Sequence, residues 1–154
     1  MGKKLEIKKD IFIKNRRASF DYQFLEKFHA GIALKGSEVK SVRLQNVTLQ
    51  DSYCLFIGKE LYVRGMHISP YEMGGHANHE AKRDRKLLLK RKELNKLQES
   101  LKEQGLTIVV THVMVNERGL IKVGIALAKG KKLYDKRQDI KTKDAKRDIA
   151  RSGY

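Results

Sequence analysis

The spacing of apolar residues divides the chain into short elements. Ser19–Leu25 sets Phe20, Tyr22 and Phe24 against Ser19, Asp21 and Gln23, the period of a half-buried strand. Gly31 and Gly36 punctuate the stretch that follows. Ser37 is placed to cap a helix over SEVKSVR, with Val39 and Val42 on its inner face. Ser52–Ile57 and Leu61–Met66 are apolar runs around Gly58-Lys59-Glu60, which predicts a hairpin. Ser69–Ala81, with Pro70 and Gly74-Gly75, reads as loop. From Asp84 to Gln104 the pattern is helical. Leu87, Leu94, Leu97 and Leu101 form one stripe, and Gly105 is placed to end it, although RKLLLK at its start reads equally as strand. Thr107–Val115 and Leu120–Ala128 flank NERG and predict a second hairpin.

Strands, then a helix, then two strands on short connections favour an α+β, mainly β fold. An OB-type antiparallel barrel with flanking helices and a basic C-terminal tail fits that order, as does an open sheet under a covering helix. The expected division is a barrel over 1–128 and a tail over 129–154. The tail carries no stripe wide enough for a core and is expected to be disordered when free. It lacks Pro, and Asp139 with Lys143, Asp144 with Arg147 and Asp148 with Arg151 are favourable helical pairs. It can therefore become helix against a phosphate-lined surface, with Ile140 and Ile149 as its few apolar contacts.

Charge changes the picture. The 154 residues hold 34 Lys and Arg against 18 Asp and Glu, a formal net charge of +16. Met1–Arg17 carries +5, Lys82–Lys102 +6 and Lys129–Tyr154 +6, so three segments hold the whole excess. Such charge opposes compaction and is explained by a polyanionic partner. No stretch pairs a basic face with Trp or Phe anchors, which favours nucleic acid over a membrane. The longest apolar run, Ile108–Val115, is far too short to span a bilayer, and the N-terminus has no apolar core of a signal peptide. A single Cys54 excludes an internal disulfide and points to a reducing compartment.

Candidate chemistry is sparse. Asn15, Arg16 and Arg17 lead into Phe20 and Tyr22, a combination of phosphate forks, an amide and stacking faces suited to RNA. His76, His79 and Glu80 offer too few ligands at the wrong spacing for a metal site. His67 and His112 read as packing residues, and Cys54, inside SYCLFI, as core. No nucleophile elbow, phosphate loop or acid/base carboxylate pair appears. The expectation is a protein without enzymatic activity, cofactor or metal.

The blocks NRRASFDY, HAGIALKGSEVKSVR, RDRKLLLKRKEL and KVGIALAKGKKLYDKR, in that order, closely resemble the SmpB family, the SsrA-binding proteins of bacteria. The resemblance runs from about Lys8 into the tail. It implies an OB-type barrel that binds the tRNA-like part of transfer-messenger RNA (tmRNA) and acts in the cytoplasm. The complex enters stalled ribosomes for trans-translation, with the tail in the message channel of the small subunit. It also implies help from EF-Tu and alanyl-tRNA synthetase through the shared RNA. Matching positions place Asn15, Tyr22, Leu88 and Lys122 in the RNA-contacting set. Arg16, Arg17, His29, Lys40, Arg85, Lys86 and Lys90 join them as expected contacts. Gly130, Lys131, Lys132, Tyr134, Asp135, Lys136 and Arg137 match the element that acts in the decoding region.

Some positions depart from the family pattern. His29 stands where the family commonly has an acid, Lys90 where it often has His or Asn, and Tyr134 where it has His. EAKRD lacks a common Pro. The alternatives are a generic single-stranded RNA binder and, behind it, a small metal-dependent nuclease using His76, His79 and Glu80.

Overall fold

The structure is a computed structural model that describes residues 11–72 and 78–151, without the side chains of 133–135, 139, 146 and 148–151. Its elements are β1 (Ile11–Lys14), α1 (Arg16–Asp21), β2 (Tyr22–Ile32), α2 (Gly36–Arg43), β3 (Val47–Thr48), β4 (Tyr53–Ile57), β5 (Glu60–Arg64), β6 (His67–Ile68), β7 (Arg85–Leu88), α3 (Arg91–Ser100), β8 (Leu106–Val115), β9 (Ile121–Gly130) and α4 (Leu133–Arg151). Strand order is β1-β8-β4-β5-β7-β2-β9, and β9 also pairs with β8. Six strands, β8-β4-β5-β7-β2-β9, therefore close on themselves, and closure satisfies edges that would otherwise invite other chains. One edge of β8 carries β9. The other is shared by β4, at Ile108 and Val109, and by β1, at His112 to Val115. With α3 between β7 and β8 in the chain, this is the expected OB-type α+β barrel.

Period-two alternation fills the inside. Ile108, Val110, Val113 and Val115 of β8 face Val123, Ile125 and Leu127 of β9, together with Phe28, Ala30 and Leu87. Leu94 and Leu97 of α3 enter the same core. Cys54 is buried there, and burial pushes its thiol pKa up, as a core residue requires.

Three elements differ from expectation. The alternation over Ser19–Leu25 predicts strand, yet Arg16–Asp21 is helix and the strand starts at Tyr22. Asn15 Oδ1 accepts from Ala18 N–H at 3.3 Å and starts the turn. Ala18 then seats on Val109, Ala126 and Ala128, with Tyr22 and Phe24 packed against this second small cluster. The long helix over Asp84–Gln104 is split. Arg85–Leu88 is strand, paired with Tyr62–Val63 and Gly31–Ile32. The helix begins only at Arg91, where the Glu93 carboxylate accepts from Lys90 N–H. β9 runs through Lys129 and Gly130, which pair with Gln23 and Tyr22, so the barrel extends two residues past the expected boundary. The tail is helix over Leu133–Arg151, where neither Pro nor Gly interrupts it.

A buried ionic cluster locks α2 to β7. Glu38 and Arg85 are both fully buried and bonded to each other. Arg83 reaches the second Glu38 oxygen at 2.5 Å, and Lys35 N–H donates to it at 2.9 Å. Arg85 also donates to the carbonyls of Met66 at 2.7 Å and Ala81 at 3.0 Å.

Candidate nucleic-acid interface

The alternation that sends valines inward sends a second set outward on β1, β8, β9, β2 and β7. Strand register joins these residues into two rows. In the first, Lys14 lies opposite His112, His112 opposite Gly124, and Gly124 opposite His29. In the second, Phe12 lies opposite Met114, Met114 opposite Lys122, Lys122 opposite Gly31, and Gly31 opposite Leu88. Lys27 and Lys86 flank the rows on β2 and β7. The two rows contain cations, imidazoles and apolar side chains but no acid.

Leu88 lies against Gly31, where an added Cβ would stand 3.3 Å from the Leu88 Cβ. With Lys122, Leu120 and Val39 they line a groove of about 320 Å³. Leu88 is 52% exposed and Leu120 53% exposed. An exposed leucine pair beside a lysine suits a sugar or base face next to a phosphate.

A ring stack joins the two rows. Phe12 and His112 stack with centroids 4.7 Å apart and planes 20° off parallel, and His29 meets His112 edge-on at 5.7 Å. The His112 ring lies across the backbone of Gly124, where any Cβ would fall 2.1 Å from its Cε1. Burial, then the neighbouring charges of His29 and Lys27, push the His112 pKa down. The unfolded chain thus takes up a proton that the folded ring resists. Stability carried by this ring is complete above about pH 6.5 and falls as the pH drops through and below that value. Melting curves at pH 7.5 and 5.5 are expected to fall less on acidification for His112→Gln than for the wild-type chain. Equal falls would exclude this coupling.

The expected contacts divide among several places. His29, Leu88 and Lys122 meet on the rows, with Lys86 beside them and Lys90 two residues beyond Leu88 at the start of α3. Arg16 and Arg17 line a second groove, about 540 Å³, with Lys14, Gln50 and Lys143. Arg17 is held by Asp21 at 2.9 Å and sits over the Phe20 ring. Tyr22 packs on the small outer cluster and lines a cleft with Tyr53. Lys40 lies apart, with its ammonium over the Tyr71 ring.

Two of the expected contacts are buried in this structure. Asn15 is buried, and its amide donates to the carbonyls of Val110 at 2.9 Å and Leu49 at 3.2 Å, so it holds α1 in place and has no amide free for RNA. Arg85 belongs to the buried cluster with Glu38 and presents no charge at the surface.

Gly130, Lys131 and Lys132 lead from β9 into α4. Lys131 N–H donates to Asp21 O at 2.8 Å, and Lys136 pairs with Asp21 at 3.3 Å. Arg137 is exposed, while the side chains of Tyr134 and Asp135 lie outside the described residues. His76 lies outside them as well. Both His79 ring nitrogens are engaged, with Ser37 Oγ and Ile68 O at 2.8 Å each, which removes the residue as a nuclease ligand. Among the described residues no group of three or more His, Cys, Asp or Glu is placed to hold a metal, and no helix is long and apolar enough to cross a membrane.

Sequence reasoning missed Lys14, Lys27, Phe12, Met114 and Gly124, and read His112 as packing. The inward alternation of Ile11 and Ile13 was the available signal for β1.

Comparison with known proteins adds relatives over nearly the full length. A family model described as SmpB protein matches residues 12–153. An SsrA-binding protein of Cytophaga hutchinsonii is 51% identical over 146 residues, 95% of each chain. One from Moorella thermoacetica is 49% identical over 152 residues, 99% of this chain and 96% of that one. A solved structure described as "tmRNA-SmpB: a journey to the center of the bacterial ribosome" contains a similar chain. The two are 47% identical with a TM-score of 0.67, over 79% of this chain and 85% of that one.

Proposed function

The chain belongs to the SmpB family of SsrA-binding proteins, and from that premise we propose that its two outward rows grip the tRNA-like domain of tmRNA. The protein is an RNA-binding adaptor rather than an enzyme. It brings tmRNA to stalled ribosomes, where trans-translation tags the incomplete peptide and releases the ribosome. The observation that carries the reading is the meeting of Leu88, Lys122 and His29 in two acid-free outward rows, around Gly31 and Gly124. Lysines there neutralise phosphates, and the exposed leucines and rings cover sugars and bases, a recognition by shape rather than by a base code.

Arg16 and Arg17 extend the basic surface past Lys14, Lys86 and Lys90 border it, and Lys40 offers a separate contact on α2. The division of labour places RNA binding on the barrel and decoding-region contacts on Gly130, Lys131, Lys132, Tyr134, Asp135, Lys136 and Arg137. EF-Tu and alanyl-tRNA synthetase meet the protein through the shared RNA, in the cytoplasm where ribosomes work.

Salt titration of tmRNA binding tests the face. Lys122→Ala is expected to weaken binding and lower the salt slope by about 1. As a surface change away from the core, it should leave stability within about 0.5 kcal/mol. Unchanged affinity and slope would remove Lys122 from the interface.

A further inference from the structure

The geometry points to a subsite beyond the leucine groove: Phe12, stacked on His112 above the Gly124 notch, is a platform for one unpaired base of the bound RNA. This inference rests on the reading of the outer face as an RNA surface. Phe12 is 60% exposed, although it sits in a strand that packs Ile11 and Ile13 on either side of it into the core. Its ring is positioned despite that exposure. His112 lies parallel to it at 4.7 Å, and His112 is itself held in place. Gly124 leaves no room beneath the imidazole, Thr111 Oγ1 bonds its Nδ1 at 2.9 Å, and His29 closes its edge. An exposed aromatic face backed by a second ring loses little freedom when a third ring joins the stack.

The surroundings decide the occupant. Lys14 follows Phe12 on β1 by one outward position. Lys122 lies two strands away in the same row, about 10 Å at ordinary strand spacing. A flat hydrophobic face between two lysines with no acid in its rows fits a nucleobase whose flanking phosphates reach the ammonium groups. The platform is also continuous with the Leu88–Lys122 groove through Met114. An RNA held at Lys122 therefore passes within reach of Phe12.

The test uses the full chain and the tRNA-like domain of tmRNA, with affinity measured beside base-selective chemical probing. Phe12→Ala and Phe12→Leu are expected to weaken binding on the order of tenfold, the usual loss of one base–aromatic stack. Phe12→Tyr keeps the ring and should keep the affinity. One unpaired base protected by the wild-type protein should become reactive with Phe12→Leu while the rest of the footprint stays. Gly124→Ala should displace His112 and weaken binding without adding to the Phe12→Leu loss. Wild-type affinity and footprint for Phe12→Leu would overturn the platform. If Lys122→Ala still weakens binding in that case, the interface itself stands. If Lys122→Ala also binds as wild type, the reading of the whole face fails with it.

Discussion

Replacing Glu38 with alanine is expected to cost about 3–5 kcal/mol of folding stability, a large part of what a domain of this size possesses. The cause lies in what the substitution leaves behind. Arg85 is fully buried, and Glu38 is the one carboxylate bonded to it among the described residues. Without that carboxylate a guanidinium stays in the core on backbone carbonyls alone. Burial pushes the Glu38 carboxyl pKa up, but the hydrogen bonds from Arg83, Lys35 N–H and Arg85 outweigh it and hold the group below its ordinary value of 4.5. Its contribution is therefore complete above that value and is lost as the pH falls below it.

Urea unfolding at neutral pH measures the effect. Glu38→Ala should shift the midpoint strongly, whereas Glu38→Leu combined with Arg85→Met should recover much of the loss, because both charges leave together. A loss below about 1 kcal/mol for the single change would show that the pair is solvated rather than buried. The consequence reaches function through β7. Arg85 is the residue before Lys86 and three before Leu88, so the cluster that fixes α2 against β7 also fixes one edge of the outward rows.

Arg85 shows where sequence reasoning stops. In RDRKLLLKRK it looks like one more cation in a basic run, and its partner Glu38 stands 47 residues earlier. β4, β5, β8 and β9 were legible as apolar runs because each pair flanks a short turn, Gly58-Lys59-Glu60 or NERG. RKLLLK carried both readings, and only pairing with β5 and β2 settles it as strand. The start of β2 was obscured because Asn15, which caps the turn at Ala18, is held by bonds to Leu49 and Val110, neither of them near in sequence. The site was half legible. Leu88 and Lys122 were named by the family's motifs and His29 as a departure from them, but their meeting needs register across three strands. Phe12 and His112 stand 100 residues apart, and no local pattern joins their rings.

A chain ending at Lys132 is expected to keep the fold and most of its tmRNA affinity yet to lose peptide tagging entirely. The cut belongs after Lys132 because Gly130 still pairs with Tyr22 and Lys131 N–H still bonds Asp21 O. Beyond it, every described side chain from Arg137 onward is exposed, and Ile140 is 47% open to solvent. The described anchors of α4 are the Lys136–Asp21 pair and the ammonium groups of Lys136 and Lys143 over Phe20. Contacts so near the surface are worth about 0–1 kcal/mol. A helix held so lightly costs the barrel little to release, and its seven basic and four acidic residues suit a phosphate-lined surface. Thermal melting, tmRNA affinity and tagging in a reconstituted translation system separate the possibilities. Loss of RNA binding with the fold intact would move the interface from the barrel to the tail. Tagging at the full-length level would remove the tail from the decoding step.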